Sequence, residues 1–407
     1  MARPALLCYG YYNDRMMTMN TADHAFVRKH NQQILLQEII KRSPISRAEL
    51  SELTHLNKAT VSSQIASLIE GRLVDEIGQG QANSTGGRRP VMLAFNRAAG
   101  CAVGVDMGVN YIRTVLTDLN GQIIFEQMIS LKDPSFAAAC PQLIDQLHEL
   151  IRHAPQTPYG IIGIGIGIHG FVDHEQKIIF TPNSKWDHVD LKHCLQNEFD
   201  CPILLTNEAN AGAYGEQLFG TLQGCRNGVF VSSGIGLGVG LILDGKLFSG
   251  SAGLAGELGH MTIDLHGEKC HCGNSGCWEL YTSENTFLRH LSELKKRPVS
   301  NIEEALELIH RGDADALNVL ERMGYYLGLG VNNIINIFDP ELVTLKGDLV
   351  SSSPLVLETV KRTVAARAFK HVTQHCRIVI SALGKDATAV GGASFAIQEF
   401  LTHREPA

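Results

Sequence analysis

Between Glu257 and Tyr281 the chain carries three cysteines within eight residues, Cys270, Cys272 and Cys277, with His260 upstream and the carboxylates Glu257 and Glu279 on either side. No other stretch restricts the fold so tightly, because one imidazole and three thiolates make the tetrahedral donor set that Zn2+ favours. Glycines between the cysteines allow the tight turns that gather the sulfurs around one point. His260, Cys270, Cys272 and Cys277 are therefore predicted to hold a structural Zn2+, and four protein ligands leave no open position for catalysis. The competing assignment is a disulfide with one spare thiol. Intracellular chains seldom keep disulfides, and this spacing favours metal.

A metal at this point would also organise its surroundings. His260 would ligate through one ring nitrogen and donate outward through the other, its direction fixed. Glu257 lies three residues earlier, one helical turn away, so both face one pocket. Glu279 lies two residues beyond Cys277, where the metal would hold it in place. Two carboxylates and an imidazole N–H converging on one point suit the hydroxyls of a sugar.

The 407 residues are enough for two or three domains, and the net charge of −7 argues against a wholly basic nucleic-acid protein. That average hides an asymmetry. Asp23 to Arg97 holds ten Lys/Arg against seven Asp/Glu, so the amino-terminal part is slightly basic and the remainder acidic. Ten cysteines, three of them in the metal string, fit a reducing cytosol, so the expected location is cytoplasmic. No apolar run approaches the ~20 residues of a membrane span. Residues 1–22 have no periodicity and lack the apolar core of a signal peptide. They are expected to form a disordered tail, with Met17 or Met19 as alternative starts.

Residues 23–96 read as one small DNA-binding unit. Phe26, Ile34, Leu35, Ile39 and Ile40 form a helical stripe from His24 to Arg42, and Ser43-Pro44 ends it. Ser46 and Glu49 match a capping box for a short second helix burying Leu50 and Leu53. Asn57 is an N-cap for a third helix, Lys58 to Glu70, whose inner stripe is Val61, Ile65 and Leu68. Its opposite arc presents Ala59, Ser62, Ser63 and Ser67, edged by Lys58, Thr60 and Gln64. Small polar side chains there allow close approach to a DNA groove, so Lys58, Ala59, Thr60, Ser62, Ser63 and Gln64 are the expected DNA contacts. A plain helical hairpin used for packing is the alternative. Strands from Leu73 to Gly80 and Pro90 to Phe95 would form a wing. Arg88 and Arg89 lie in the Gly-rich segment between them, placed to enter a narrow minor groove unless the loop is merely solvated.

Farther on, Cys101 to Gly108 reads as a buried strand entering a turn, followed by strands over Tyr111 to Leu119 and Gln122 to Gln127. Ile161 to Ile168 and Ile203 to Leu205 are further buried strands. Leu317 to Ile337 is a long apolar helix, expected where two lobes meet.

Gly256-Glu257-Leu258-Gly259-His260, followed by Cys-x-Cys-Gly-x-x-Gly-Cys-x-Glu, resembles the ROK family of repressors and sugar kinases, over roughly Ala102 to Phe400. Gly86-Gly87-Arg88-Arg89-Pro90 resembles the DNA-binding part of its repressors. The resemblance implies an α/β chain: a winged helix-turn-helix, then a two-lobed actin-like ATPase (ROK sugar kinase-like) fold over 97–407. The lobes would be about 97–208 plus 385–407, and 209–384. It implies that the His and Cys set binds zinc and that Glu257, His260 and Glu279 contact sugar. Asn183, in a Pro-Asn loop, and Asn207 would join them. An Asn183 that only satisfies its own turn is equally compatible with the residues. Glu208 stands where the family's kinases carry their catalytic base, an Asp. One extra methylene displaces that carboxylate by more than ~1 Å, a shift that typically damages catalysis.

The kinases' phosphate motifs are altered as well. Asp106-Met107-Gly108-Val109-Asn110-Tyr111 replaces Asp-x-Gly-Gly-Thr-Lys, with no charge in place of the Lys, and Leu237 interrupts the second glycine run after Ser233. These changes favour a sugar-responsive repressor without turnover over a kinase carrying a DNA-binding appendage. The expected partners are operator DNA, a sugar, and further copies in a homodimer or higher oligomer. The chain looks closest to the branch of the family that governs xylose use in Gram-positive bacteria. Xylose is glucose without the hydroxymethyl carbon, and the longer Glu208 would fill the space that carbon leaves.

Overall fold

The computed structural model describes residues 24–80, 89–367 and 375–403; the expected tail over 1–22 and the Arg88 contact lie outside them. Helix α1 (His24–Arg42) turns Leu35, Leu36, Ile39 and Ile40 inward, whereas Phe26 near its start is 55% exposed. Strand β1 (Ile45–Ser46) leads into α2 (Arg47–Thr54). The Glu49 N–H donates to Ser46 Oγ at 3.2 Å and the Ser46 N–H to the Glu49 carboxylate at 2.8 Å, the reciprocal cap expected from the sequence. Leu50 is buried, but Leu53 is 43% exposed, because this two-turn helix meets its neighbours along one edge only. Helix α3 (Lys58–Glu70) starts at Asn57, whose Oδ1 accepts the Thr60 N–H at 2.8 Å, and it buries Val61, Ile65 and Leu68. Strands β2 (Val74–Gln79) and β3 (Val91–Phe95) pair antiparallel, and β1 adds to the far edge of β3. The unit is a winged helix-turn-helix.

The first lobe is a mixed sheet. Strands β4 (Cys101–Met107), β5 (Tyr111–Asp118) and β6 (Ile123–Ser130) form a meander. Helix α4 (Phe136–Arg152), β7 (Ile161–Ile168), the small hairpin β8 (Phe171–Val172) and β9 (Ile178–Phe180), α5 (Leu191–Gln196) and β10 (Ile203–Asn207) follow. The order β10-β7-β4-β5-β6 puts β4 and β7 side by side and parallel at the centre, buried on both faces as their unbroken apolar runs require. Val103, Val105 and Met107 share a core with Leu143, Leu147 and Leu195 of α4 and α5.

Helix α6 (Glu208–Phe219) then crosses to the second lobe. There β11 (Gly228–Ser233), β12 (Leu237–Leu243) and β13 (Lys246–Leu247) precede a 3-10 turn at Leu258–His260. Helices α7 (Glu279–Thr282), α8 (Glu284–Lys295), α9 (Ile302–His310) and α10 (Ala314–Phe338) come next. Strand β14 (Leu342–Lys346), α11 (Asp348–Ser352), α12 (Pro354–Arg367) and β15 (Arg377–Ile380) complete a sheet of order β13-β12-β11-β14-β15. Helix α10 does not lie between the lobes as expected. Leu320, Leu327, Val331 and Ile334 share the second lobe's own core with Val356 and Val360 of α12.

The junction between the lobes is instead α6 against α13 (Ala387–His403), the helix that returns the chain to the first lobe. A Cβ on Gly391 of α13 would sit 1.8 Å from the Ala211 carbonyl oxygen of α6, and on the first lobe's own side one on Gly104 of β4 would sit 1.8 Å from that of Ala389 and one on Gly165 of β7 1.9 Å from that of Gly392. Only glycine permits this backbone-to-backbone approach, so the small residues at the start of α13 serve close packing. Among the described residues, no helix is long and apolar enough to cross a membrane.

Candidate functional site

A cleft of about 470 Å³ opens between the two sheets, within the range typical of small-molecule sites. Asn183, Asn207, Glu208, Glu257, His260 and Glu279, gathered from four parts of the sequence, all line it. Glu208 opens α6 directly after β10, and Glu257 precedes the 3-10 turn that ends at His260. Glu279 is the first residue of α7. Asn207 is largely committed to the fold. Its Oδ1 accepts the Ala209 and Asn210 N–H groups at 2.8 and 3.3 Å, and its Nδ2 donates to the Gly170 carbonyl at 2.9 Å. It caps the helix that presents Glu208 and keeps one amide hydrogen for the cleft. Asn183 is exposed to the cleft, and its turn is closed by Thr181, whose Oγ1 accepts the Trp186 N–H at 2.8 Å.

Beside Glu279, the donor atoms of His260, Cys270, Cys272 and Cys277 lie within 4.8 Å of one another, a group able to hold a metal ion. His260 Nδ1 is 3.7 Å from Cys270 Sγ, and Cys272 Sγ is 3.6 Å from Cys277 Sγ. All four belong to the segment between β13 and α7, closed by backbone bonds such as Cys270 N–H to the Asn274 carbonyl. The Glu279 carboxylate joins this group to the cleft, 3.7 Å from His260 Nδ1 and 3.4 Å from His271 Nδ1.

The far end of the cleft carries the Asp106 turn, and the chain fills it with its own side chains. The Tyr111 hydroxyl donates to Asp106 Oδ2 at 3.0 Å, and its ring lies so close over Gly108 that a Cβ there would be 2.3 Å from it. Asp106 is 1% exposed, and its other oxygen has no hydrogen-bond partner. Lys346, at the end of β14 in the opposite lobe, reaches to 3.9 Å from Asp106 Oδ2. The sequence reading that no charge replaces the missing lysine is thus corrected: a cation arrives from 240 residues away in the chain. In the second hairpin, Ser233 Oγ donates to the Thr282 carbonyl at 2.6 Å and so is used by the fold.

The electrostatics here are acidic. Burial, then the neighbouring Asp106, pushes the Glu208 carboxyl up to about 7, while Lys346 pulls the other way. Burial, then Asp348, pushes Glu284 up to about 7. Burial and Glu279 do the same for Glu257, which faces the water of the cleft but is walled by protein. Asp106 is raised chiefly by burial as well. Two further cations at the rim are already paired, Arg113 with Asp386 and Glu126, and Lys385 with Glu126. A phosphate chain would meet carboxylates and a tyrosine ring where a phosphate cradle needs N–H groups and free positive charge.

On the winged helix-turn-helix, Lys58, Ala59, Ser62, Ser63 and Ala66 are exposed along α3, Thr60 is half-buried, and Arg89 is exposed. Gln64 departs from the expectation. It is 6% exposed, because three residues after Val61 it falls on the helix's inner stripe. Ser67 is also turned inward and accepts a bond from Gln32 Nε2 of α1 at 3.1 Å. Neither is available to a DNA groove.

Tyr111, His271, Lys346 and Glu284 line the cleft yet were absent from the residues chosen from sequence. His271 had a signal, its place inside the Cys-x-Cys string. Tyr111 had one too, its place in the altered Asp106 motif; Lys346 and Glu284 had none, since only the folded sheets bring them to the cleft.

The model of the ROK family matches residues 102–399. The chain belongs to the ROK family. It is 48% identical to the xylose repressor of Bacillus spizizenii, over 94% of this chain and 99% of that protein. It is 27% identical to the transcriptional dual regulator NagC of Escherichia coli, over 88% and 90% of the two chains. Among solved structures, a ROK transcriptional regulator homologous to the E. coli MLC protein superposes with a TM-score of 0.79 at 27% identity, covering 92% of this chain and 97% of that one. A ROK glucokinase from Streptomyces griseus, in complex with glucose and AMPPNP, superposes at 0.64 and 27% identity. It covers 74% of this chain and 100% of its own length, so the ROK kinase-like part is matched and 26% of this chain is not.

Proposed function

We propose that this ROK protein is a sugar-responsive transcriptional repressor, with xylose as its inducer and no phosphoryl transfer. The observation that carries this reading is the contrast within one cleft. Its mouth gathers Glu208, Glu257, His260 and Glu279, hydrogen-bonding groups suited to sugar hydroxyls. Its phosphate end is taken up by Tyr111, Asp106 and Lys346. The named relatives support the repressor role and the choice of xylose.

The metal group fits zinc. Bonds of about 2.3 Å to sulfur and 2.0 Å to nitrogen in a tetrahedron require S···S edges near ~3.8 Å and S···N edges near ~3.5 Å. The corresponding distances here are 3.6 and 3.7 Å. When bound, the metal supplies a fixed positive centre that neutralises the thiolates. His260 would then be held in direction at the cleft, beside Glu279. The protein is proposed to be cytoplasmic and to bind operator DNA through the exposed face of α3, with Lys58, Ala59, Thr60, Ser62, Ser63, Arg88 and Arg89 as contacts. A homodimer or higher oligomer would match two half-sites about one helical turn, or a multiple of it, apart.

Induction is then a population shift. Sugar bridging the Glu257 side to the Glu208 side changes lobe closure and reorients the DNA-reading units. Incubation with ATP and a panel of aldoses tests the absence of chemistry. No sugar phosphate is expected, and sustained turnover with any aldose overturns the reading.

A further inference from the structure

The DNA-reading unit does not hang from a free linker. Leu35, Leu68 and Val74 on its side form one continuous apolar core with Leu218, Ile397 and Leu401 of α6 and α13. Two polar ties cross this boundary at the far end of α13. Gln33 Nε2 of α1 donates to the Thr402 carbonyl at 2.6 Å. The Tyr159 hydroxyl, from the loop before β7, donates to the carbonyl of Gly71 at 2.7 Å. Gly71 is the C-cap of α3, so this bond fastens the end of the recognition helix itself. The Tyr159 ring meets Phe400 of α13 edge-on, with centroids 4.9 Å apart.

The near end of α13 stands at the cleft, where Thr388 Oγ1 donates to the Glu208 carbonyl at 3.3 Å. With 17 residues at about 1.5 Å each, α13 spans ~25 Å from the sugar-facing carboxylate to the DNA-reading unit. The glycine seam locks the first half of α13, from Ala389 to Ala396, onto β4 and β7, so α13 and these strands move as one body when α6 shifts against them. From this geometry we infer that Tyr159 is a positioning residue that passes the sugar-dependent movement of α13 to the recognition helix. The inference rests on the repressor reading, and no contact of Tyr159 with sugar or DNA is involved.

A hydrogen bond kept in one of two states and lost in the other is worth about fivefold in their balance. Coupling is reciprocal, so sugar must change operator affinity by the factor by which operator changes sugar affinity. The test uses full-length wild type and Tyr159→Phe, with a fluorescent duplex that the wild-type protein selects from a random-sequence library. Operator affinity is read by anisotropy with and without xylose, and xylose affinity by calorimetry. In Tyr159→Phe, xylose affinity without DNA should stay within about twofold, while the ratio of operator affinities without and with xylose falls about fivefold. Gln33→Leu, at the second tie, should lower the same ratio. A merely structural role would weaken binding or stability and leave the ratio alone. An unchanged ratio in Tyr159→Phe overturns the inference by itself. A wild-type protein whose operator binding ignores every aldose overturns both the inference and the reading beneath it.

Discussion

Lys346 is the cation at the centre of the acidic end of the cleft, and its removal tests how the two lobes are held there. In Lys346→Met the side chain keeps its length and loses its charge. Lys346 lies 3.9 Å from Asp106, with side-chain exposures of 15% and 1%. At an effective dielectric constant of ~20, that separation corresponds to about 4 kcal/mol of attraction. Removing one partner of a buried pair typically costs about 3–5 kcal/mol, because the other charge is left without compensation. For a unit of roughly 150–250 residues this lowers Tm by ~6–20 °C.

The loss should depend on pH. Glu208 and Glu284 titrate near 7 in the folded chain, above the ordinary carboxylate value of 4.5, because they are buried. A carboxyl whose folded pKa is raised contributes stability that is full below about 4.5 and fades as pH rises through about 7. Without Lys346 their folded values rise further, so the fading extends above 7. At pH 6 Glu208 and Glu284 are mostly protonated in the wild type, so less negative charge is left beside Lys346 than at pH 8. The variant's deficit should be larger at pH 8 than at pH 6. Scanning calorimetry of both proteins at the two pH values measures this. Equal deficits at both pH values would show that packing, not charge, is what Lys346 supplies. A deficit under about 2 °C at pH 8 would refute the buried ion pair.

Three further substitutions probe other parts of the molecule. Cys272→Ser should release the bound metal, measured by elemental analysis, and blunt the sugar response while circular dichroism shows the helices retained. Normal zinc content with a normal response would contradict the link between metal and cleft. Lys58→Ala should weaken operator binding similarly across sequences and reduce the slope of log affinity against log salt by about 1, as expected for one phosphate contact. Glu208→Asp should shift preference from xylose toward glucose by about tenfold, the scale of one methylene in a fitted pocket. Unchanged relative affinities by calorimetry would count against Glu208 as the residue that reads sugar size.

The local chemistry of the chain was legible in advance. Ser46 with Glu49 and Asn57 with Thr60 are caps made within four residues, so the bounds of α2 and α3 follow from neighbours in sequence. The cysteine string is equally local, which is why its donor atoms could be grouped before any fold was known. Gln64 was misplaced because its polarity outweighed its position. The helical period puts it on the inner stripe, where it is buried. Lys346 and Tyr111 were missed for different reasons. Lys346 acts only where the two sheets meet across the cleft, and nothing in the residues beside it marks this; Tyr111 meets Asp106 within one hairpin, at a place where the motif showed only the loss of a Lys. Helix α10 was assigned to the junction on length and apolarity alone. The junction instead uses small residues, where Gly215 of α6 and Gly391 of α13 let the two helices approach.

The most direct test of the whole reading is operator binding by the full-length, metal-loaded protein, titrated with xylose, glucose and other aldoses in the presence and absence of ATP. Xylose should weaken operator binding at least tenfold, glucose should do so less, and ATP should change neither affinity nor sugar. Operator binding indifferent to every aldose, or sugar phosphate accumulating when ATP is added, would contradict it.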